Sequence, residues 1–560
     1  MPDASWWLSG GDYMNRKIVE KIAIVFSISM SLCLSSCGQK TENNESEKNG
    51  EYAVDSLFCD VDFWEYPEWK MQEGSITNEI TKKTGLAINV IEPTQEADTQ
   101  LKLMLLNDEL PDIISVVDTT TISQLTDSGK VWKLDEFLKT YKPDSHILQD
   151  FPEDIKKELV KRDGAWYAFP SHINSADARK QWDVSPYLEE VIQYNNNNAI
   201  IWNKQLLEQA GLTAEDLVTQ EDVMAAFEKV KNLDIQVEGE NAIMLLVDGK
   251  NYQDPTLKYL EGTFGAEWVD DDGNYMDITL QPQTKNALSF LNTCMRSGYA
   301  TPDELTMETE EIQKLLKSGR VLCFIGNIAN IKVNFTEWVS TGVILSSDGS
   351  RPVMEKNMSA STGWISTFIS RDCKNPEETA KFLDYMTSEE GMSLWCYGRE
   401  GSDYYVGEDG FYYKIEQQDK TEELGEWWMF SNSSWERSVE AISDENKQIN
   451  EVMTAYGKNP ETVLYDVSLL LMPVSLISAD SKENQIEKAV EEWKARQITK
   501  VVLAENEETF EKEYNTLIQG LYERGIEKLN KCKNEGYQEN CREYGKKIQK
   551  VNKTERKSEK

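Results

Sequence analysis

The chain has 560 residues, 39% of them hydrophobic, and a formal net charge of −39. That length is too great for one hydrophobic core, so two large domains or more are expected, and sixteen Trp with twenty-three Tyr suit a folded chain rather than a disordered one. The charge repels nucleic acid, which excludes it as a partner, and favours a neutral ligand over an acidic one.

Residues 14–40 read MNRKIVEKIAIVFSISMSLCLSSCGQK. Arg16, Lys17 and Lys21 form a basic start, thirteen largely apolar residues follow at 22–34, and Leu34-Ser35-Ser36-Cys37 closes the segment. That pattern is a secretory signal peptide over residues 1–36, with Met14 as its start. The apolar run is shorter than the ~20 residues a spanning helix needs. L-S-S-C also resembles a bacterial lipobox, in which Cys37 is acylated and becomes the first mature residue; the bland alternative is an ordinary signal with an incidental cysteine. Residues 37–56 are polar and read as a flexible, lipidated linker.

The folded part opens on aromatics, FCDVDFWEYPEW at 58–69. A helix is expected over 74–84, a strand over 86–91, a helix over 99–107 and a buried strand over 110–117; this alternation implies an α/β lobe. RDGAWYAFP (162–170) is a turn and a short strand, and 171–198, ending in four consecutive asparagines, reads as a loop. AIIWN (199–203) is a strand, 204–210 a helix, and 219–231 a helix opened by Thr219 and Asp222 as a capping box. Asp270-Asp271-Asp272-Gly273-Asn274 has the acidity of a calcium loop, but the sixth and twelfth positions hold Tyr275 and Gln281 rather than Gly and Glu, which favours a hairpin. A helix over 283–298, strands over 321–326 and 363–370, and helices over 375–385 and 388–396 complete the pattern. Phe510, Tyr514, Leu517, Ile518 and Leu521 share one helical face. Residues 545–560 carry seven basic and two acidic side chains and read as a frayed tail.

Chemistry-bearing motifs are scarce. His146 and His172 are the only histidines, which argues against multi-histidine metal sites and leaves a Ser-His-Asp triad at most two bases. Seven cysteines follow Cys37, none in a C-x-x-C; Cys532 and Cys541 are either a local bridge or free thiols. No nucleophile elbow, P-loop, HExxH or dinucleotide fingerprint occurs, and no cofactor or metal is expected. The enzyme reading keeps only the carboxylate pair of a glycosidase, which ninety-eight acidic residues supply by chance.

Several stretches in order, among them FWEYPEWKMQEGSITNEITKKTG, LKLMLLNDELPDII, RDGAWYAFP, IIWNKQLLEQAGL, SGRVLCFIG and CKNPEETAKFLDYMTSEEGMSLWCYGREGSDYY, resemble the extracellular solute-binding lipoproteins of ABC importers, in their large oligosaccharide-binding branch. The resemblance implies an α/β, two-lobe, periplasmic-binding-protein-like (type II) fold with a ligand cleft between the lobes. It assigns 51–170 plus 340–400 to the N-terminal lobe, 171–339 plus 401–535 to the C-terminal lobe and 536–560 to a charged tail, with Pro170 and Gly342 at the hinges. It implies a monomer, lipid-anchored at the outer face of the membrane, that delivers an oligosaccharide to membrane permease subunits; a peptide or another small solute is the alternative ligand. A sugar needs flat aromatic surface rimmed by hydrogen-bonding groups. Trp64, Tyr66, Trp69, Trp202, Asn327, Trp364 and Arg399 are the residues so placed. Asn203 and Arg399 stand where relatives more often have a basic and an aliphatic residue.

Overall fold

The computed structural model of the protein describes residues 52–61, 68–94, 96–182, 184–358, 360–361, 363–415, 427–478 and 481–553. The export signal, Cys37, Trp64 and Tyr66 lie outside the described residues. Among those described, no helix is long and apolar enough to cross a membrane.

In chain order, β1 (Ala53–Cys59) pairs in parallel with β2 (Leu86–Ile91) and with β3 (Ile113–Val116). After three longer helices the chain forms β4 (Phe169–Pro170) and leaves along β5 (Asn174–Ser175). It enters a second sheet with β6 (Asn198–Asn203), makes a small hairpin from β7 (Gln236–Val237) and β8 (Glu240–Asn241), and adds β9 (Ile243–Val247), β10 (Val321–Asn327) and β11 (Trp338–Val339). β12 (Val353–Lys356) precedes a return along β13 (Ala360–Ser361), which pairs with β5, and β14 (Ser366–Ile369) rejoins the first sheet. The hairpin of β15 (Tyr404–Val406) and β16 (Tyr412–Lys414) follows, and β17 (Val463–Asp466) pairs with β12.

The sheets run β2-β1-β3-β14-β4 and β11-β6-β10-β9. In each, every strand is parallel except one, and that one (β14 or β6) is the first strand the sheet gains after an interlobe crossing. Runs such as AIIW and VLCFIG are buried on both faces because helices cover both sides of a parallel sheet. The capping box at Thr219–Asp222 forms as expected, and Asp270 closes a hairpin by accepting the backbone N–H groups of Asp272 and Asn274.

Four expectations need correction. Residues 340–356 pack in the second core through Val343, Ile344 and Met354, so the return crossing lies at 357–365; Gly342 is not a hinge but holds a φ of 75° against the carbonyl of Ala455, where a Cβ would collide. The stretch after 400 stays in the first core, because Tyr404, Trp427, Phe430 and Trp435 pack around Phe382 and Trp395, and the third crossing comes after Glu440. Residues 171–198 are not all loop: Ser175 and Ser185 N-cap helices Ala176–Gln181 and Pro186–Tyr194, the second burying Leu188, Val191 and Ile192. As far as Asn552 the tail is docked, not frayed. Helix Ile526–Tyr544 buries Tyr537, Ile548 is buried beyond it, and the N–H groups of Val551 and Asn552 donate to the Glu267 carboxylate at 2.8 and 2.7 Å. The same helix touches the first lobe, where Lys161 meets Glu543 at 2.6 Å and the Tyr544 hydroxyl donates to Glu158. Cys532 and Cys541 are free thiols.

Candidate functional site

In open parallel sheets, ligands are held beyond the carboxyl ends of the strands. Those ends are Cys59, Ile91, Val116 and Pro170 in the first sheet, and Val247, Asn327 and Val339 in the second. The antiparallel strands begin at the same ends, with Ser366 and Asn198. The chain therefore passes between lobes at these two rims, and the β5–β13 pair joins them.

The rims are tied off alike. Asp60, just past β1, accepts the backbone N–H of Val117, just past β3, at 3.1 Å. Asp248, just past β9, accepts the N–H of Asn327, which ends β10, at 2.7 Å. Burial pushes the Asp248 carboxyl up to about 6, although the Asn327 N–H opposes the shift. Asp118 caps the helix after β3 through Thr121, and burial raises its pKa as well. At the start of β14, Arg162 is held in a fork by Asp163, with both contacts at 2.6 Å, and also reaches the Ser366 hydroxyl. Its charge is thus neutralised within the rim.

Crossing segments meet tightly at Ser171–His172 and Gly363. The Gly363 N–H donates to the Ser171 carbonyl at 2.5 Å, and a Cβ on Gly363 would strike the Ser171 hydroxyl and the His172 ring. His172 takes a φ of 49° and lies 2.9 Å from the Ser171 hydroxyl through Nδ1. Next to this junction, Trp364 and Trp428 form a half-buried indole pair, with ring centres 6.2 Å apart and a 46° tilt.

The sequence-predicted residues divide accordingly. Trp364 and Asn327 sit on the rims. Trp202 does not: it is 0% exposed, packs on Phe227 and donates Nε1–H to Thr341, because β6 is covered on both faces. Trp69 turns inward, with its Nε1–H on Thr81 at 2.9 Å and its ring edge-on to Phe382 and Trp427. Arg399 is engaged within the first lobe by Glu79 at 2.9 Å and by the Gly74 carbonyl, so its departure from the usual aliphatic residue serves a local ion pair. Asn203 caps the helix Lys204–Gln209. Sequence reasoning missed Asp60, Asp248 and Trp428. A carboxylate directly after an apolar strand was the available signal for the first two.

The arrangement offers two polar rims and a flat aromatic surface. The family described as bacterial extracellular solute-binding protein matches residues 75–399. The polygalacturonan/rhamnogalacturonan-binding protein YtcQ of Bacillus subtilis is 21% identical over 472 residues, covering 77% of this chain and 87% of YtcQ. Among solved structures, an EF-hand mutant of the S. pneumoniae ABC-transporter substrate-binding protein FusA, with fructo-nystose, has a TM-score of 0.67 at 16% identity, covering 88% of this chain and 100% of that one. An HMO-binding, ABC-transporter-associated solute-binding protein from Bifidobacterium longum infantis gives 0.60 at 12% identity, covering 89% of this chain and 100% of that one. With two α/β lobes, strand-end rims at their junction and a family match over more than half its length, the chain belongs to the bacterial extracellular solute-binding proteins.

Proposed function

We propose that the protein captures a neutral oligosaccharide between its two rims and presents it, unaltered, to the permease of an ABC importer, while lipid on Cys37 holds it at the outer face of the cell membrane. The observation that carries this reading is the half-buried Trp364–Trp428 pair beside rims whose polar groups are amides, hydroxyls, buried carboxylates and an Arg162 guanidinium paired with Asp163. An indole face matches the C–H face of a pyranose or furanose, and the polar groups match its hydroxyls. Relatives named for polygalacturonan, fructo-nystose and HMO binding support a glycan over a peptide. The net charge of −39, Asp60 and Asp248 on the rims, and an Arg162 already held by Asp163 favour a neutral glycan over an acidic one.

Titration calorimetry against neutral oligosaccharides, oligogalacturonides and short peptides tests it, followed by chromatography of each incubated glycan. Binding of a neutral glycan that is recovered intact is the expected result. Tight binding of oligogalacturonide or peptide alone overturns the ligand class, and cleavage products overturn the binding role. Cys37→Ala is expected to release the protein from membranes or leave it unprocessed.

A further inference from the structure

Helix Ile526–Tyr544 belongs to the second lobe but ends against the first. Tyr537 on it and Ile548 beyond it pack with Val353 and Tyr465, and Lys546 Nζ meets the Asp466 carboxylate at 2.5 Å. The other oxygen of Asp466 accepts the N–H of Met358 at 3.3 Å, where the return crossing starts. The helix end is therefore fixed to the second lobe beside a connection between the sheets.

On the facing side, helix Glu153–Asp163 buries Ile155 and Leu159 in the first core and keeps Lys157, Glu158 and Lys161 outside it. Glu543 takes both lysines, Lys161 Nζ on one carboxylate oxygen at 2.6 Å and Lys157 Nζ on the other at 3.3 Å. The Tyr544 hydroxyl donates to Glu158 at 2.6 Å, and the two ammonium groups lie 4.6 and 5.5 Å from the centre of its ring. Two consecutive residues thus engage one turn of the opposing helix. These contacts stand apart from the rims. Between described residues no hydrogen bond or ion pair joins one rim to the other: Asp248 and Asn327 bond within the second lobe, and Arg162 reaches Ser366 within the first. The helix end is engaged while the rims are unbridged.

Hinge closure turns one lobe against the other. A contact that spans both lobes with the rims unbridged has to shift when the rims meet on a ligand. We propose that Glu543 and Tyr544 form a clasp that holds the lobes parted, so that capture of a ligand must release it. The clasp needs two hinged lobes and no particular ligand. Glu543 is 36% and Lys157 63% exposed in their side chains, and ion pairs so placed are weak. The clasp therefore sets a threshold for closure without preventing it, and a ligand crosses that threshold by binding the closed form more tightly than the parted one.

The test uses the mature chain from Gly38 onward, which keeps every residue described above. Small-angle scattering gives the sugar-free radius of gyration, and calorimetry gives the affinity for 1-kestose, maltotriose and cellotriose. Glu543→Lys sets a like charge against Lys157 and Lys161; Lys157→Glu with Lys161→Glu does the same from the other lobe. Each is expected to lower the radius, and combining all three changes, which restores opposite charges, to return it to the wild-type value. A trisaccharide that binds wild type should bind the first two variants about threefold more tightly and the combination as it binds wild type. Tm confirms folding. If a charge reversal does not fold, Tyr544→Phe decides, since it keeps the ring, loses only the bond to Glu158 and should also lower the radius. A radius unchanged in every variant shows that the contact travels with the hinge, and a rise shows that it draws the lobes together; either overturns the clasp, as does a combination that fails to restore the radius. If no trisaccharide binds wild type, those sugars are excluded as ligands and the radius still decides the clasp.

Discussion

Glu267→Gln tests whether the C-terminal segment is a structural strap. Glu267 is 0% exposed, and its two carboxylate oxygens separately accept the N–H groups of Asn552 and Val551, with Lys550 Nζ 3.6 Å away. A glutamine keeps one acceptor and turns an N–H₂ toward the other N–H. The loss of one charge-assisted bond, with its donor left buried, is worth roughly 2–4 kcal/mol. In a lobe of this size that corresponds to a fall of about 5–12 °C in the Tm of the second lobe. The loss is capped by the free energy that docks the strap, because the segment can detach instead. The decisive comparison is therefore a cycle with a chain ending at Gly545: there, Glu267→Gln should shift Tm by no more than about 2 °C, or raise it, since no N–H groups remain to satisfy the carboxylate. Thermal unfolding by circular dichroism, with amide exchange at 546–553, reads both. Equal shifts in the two backgrounds, or none in the full chain, would refute the strap.

Two further outcomes are expected. Trp364→Ala should weaken glycan binding by roughly 1–3 kcal/mol, while the half-buried ring makes its loss of stability smaller than for a core indole; calorimetry and Tm on the same sample check this, and unchanged affinity removes Trp364 from the site. Burial pushes Glu261 up to about 7, so the native state holds a proton the unfolded chain releases near pH ~4.3, and wild-type stability falls as pH rises between those values. Glu261→Gln, which keeps an acceptor for the Thr284 hydroxyl, should match wild type near pH 4.5 and exceed it by up to about 3 kcal/mol at pH 8; denaturant titrations at both pH values decide it, and parallel pH profiles sink the argument.

Local patterns carried the order of helices and strands, because runs such as VLCFIG and the Thr219 capping box declare themselves within a few residues. Which sheet a segment joins depends on long-range packing that no window contains. The aromatic stretch after 400 is as apolar as either core requires, and only its contacts with Phe382 and Trp395 assign it to the first. Trp202 was misjudged for the same reason: a strand covered on both faces shows no alternation, so its sequence does not say which side chains face a cleft. The tail was misread because seven cations hide Ile548 and Val551, whose apolar cluster includes Val269, Val353, Tyr465 and Tyr537. At the rims, Asp60 and Asp248 looked like ordinary loop acids until the register placed each beside the neighbouring strand.

Asp60 and Asp248 act as staples: each fastens the terminus of one parallel strand to the backbone at the end of its neighbour. A half stapled in this way swings as a plate. Bending during ligand capture should then fall in the connections between the two sheets, among them the one at Gly363, which leaves no room for a side chain. Substitutions in those connections should change how often the halves part. Loss of a staple should instead warp one edge and leave the other half true.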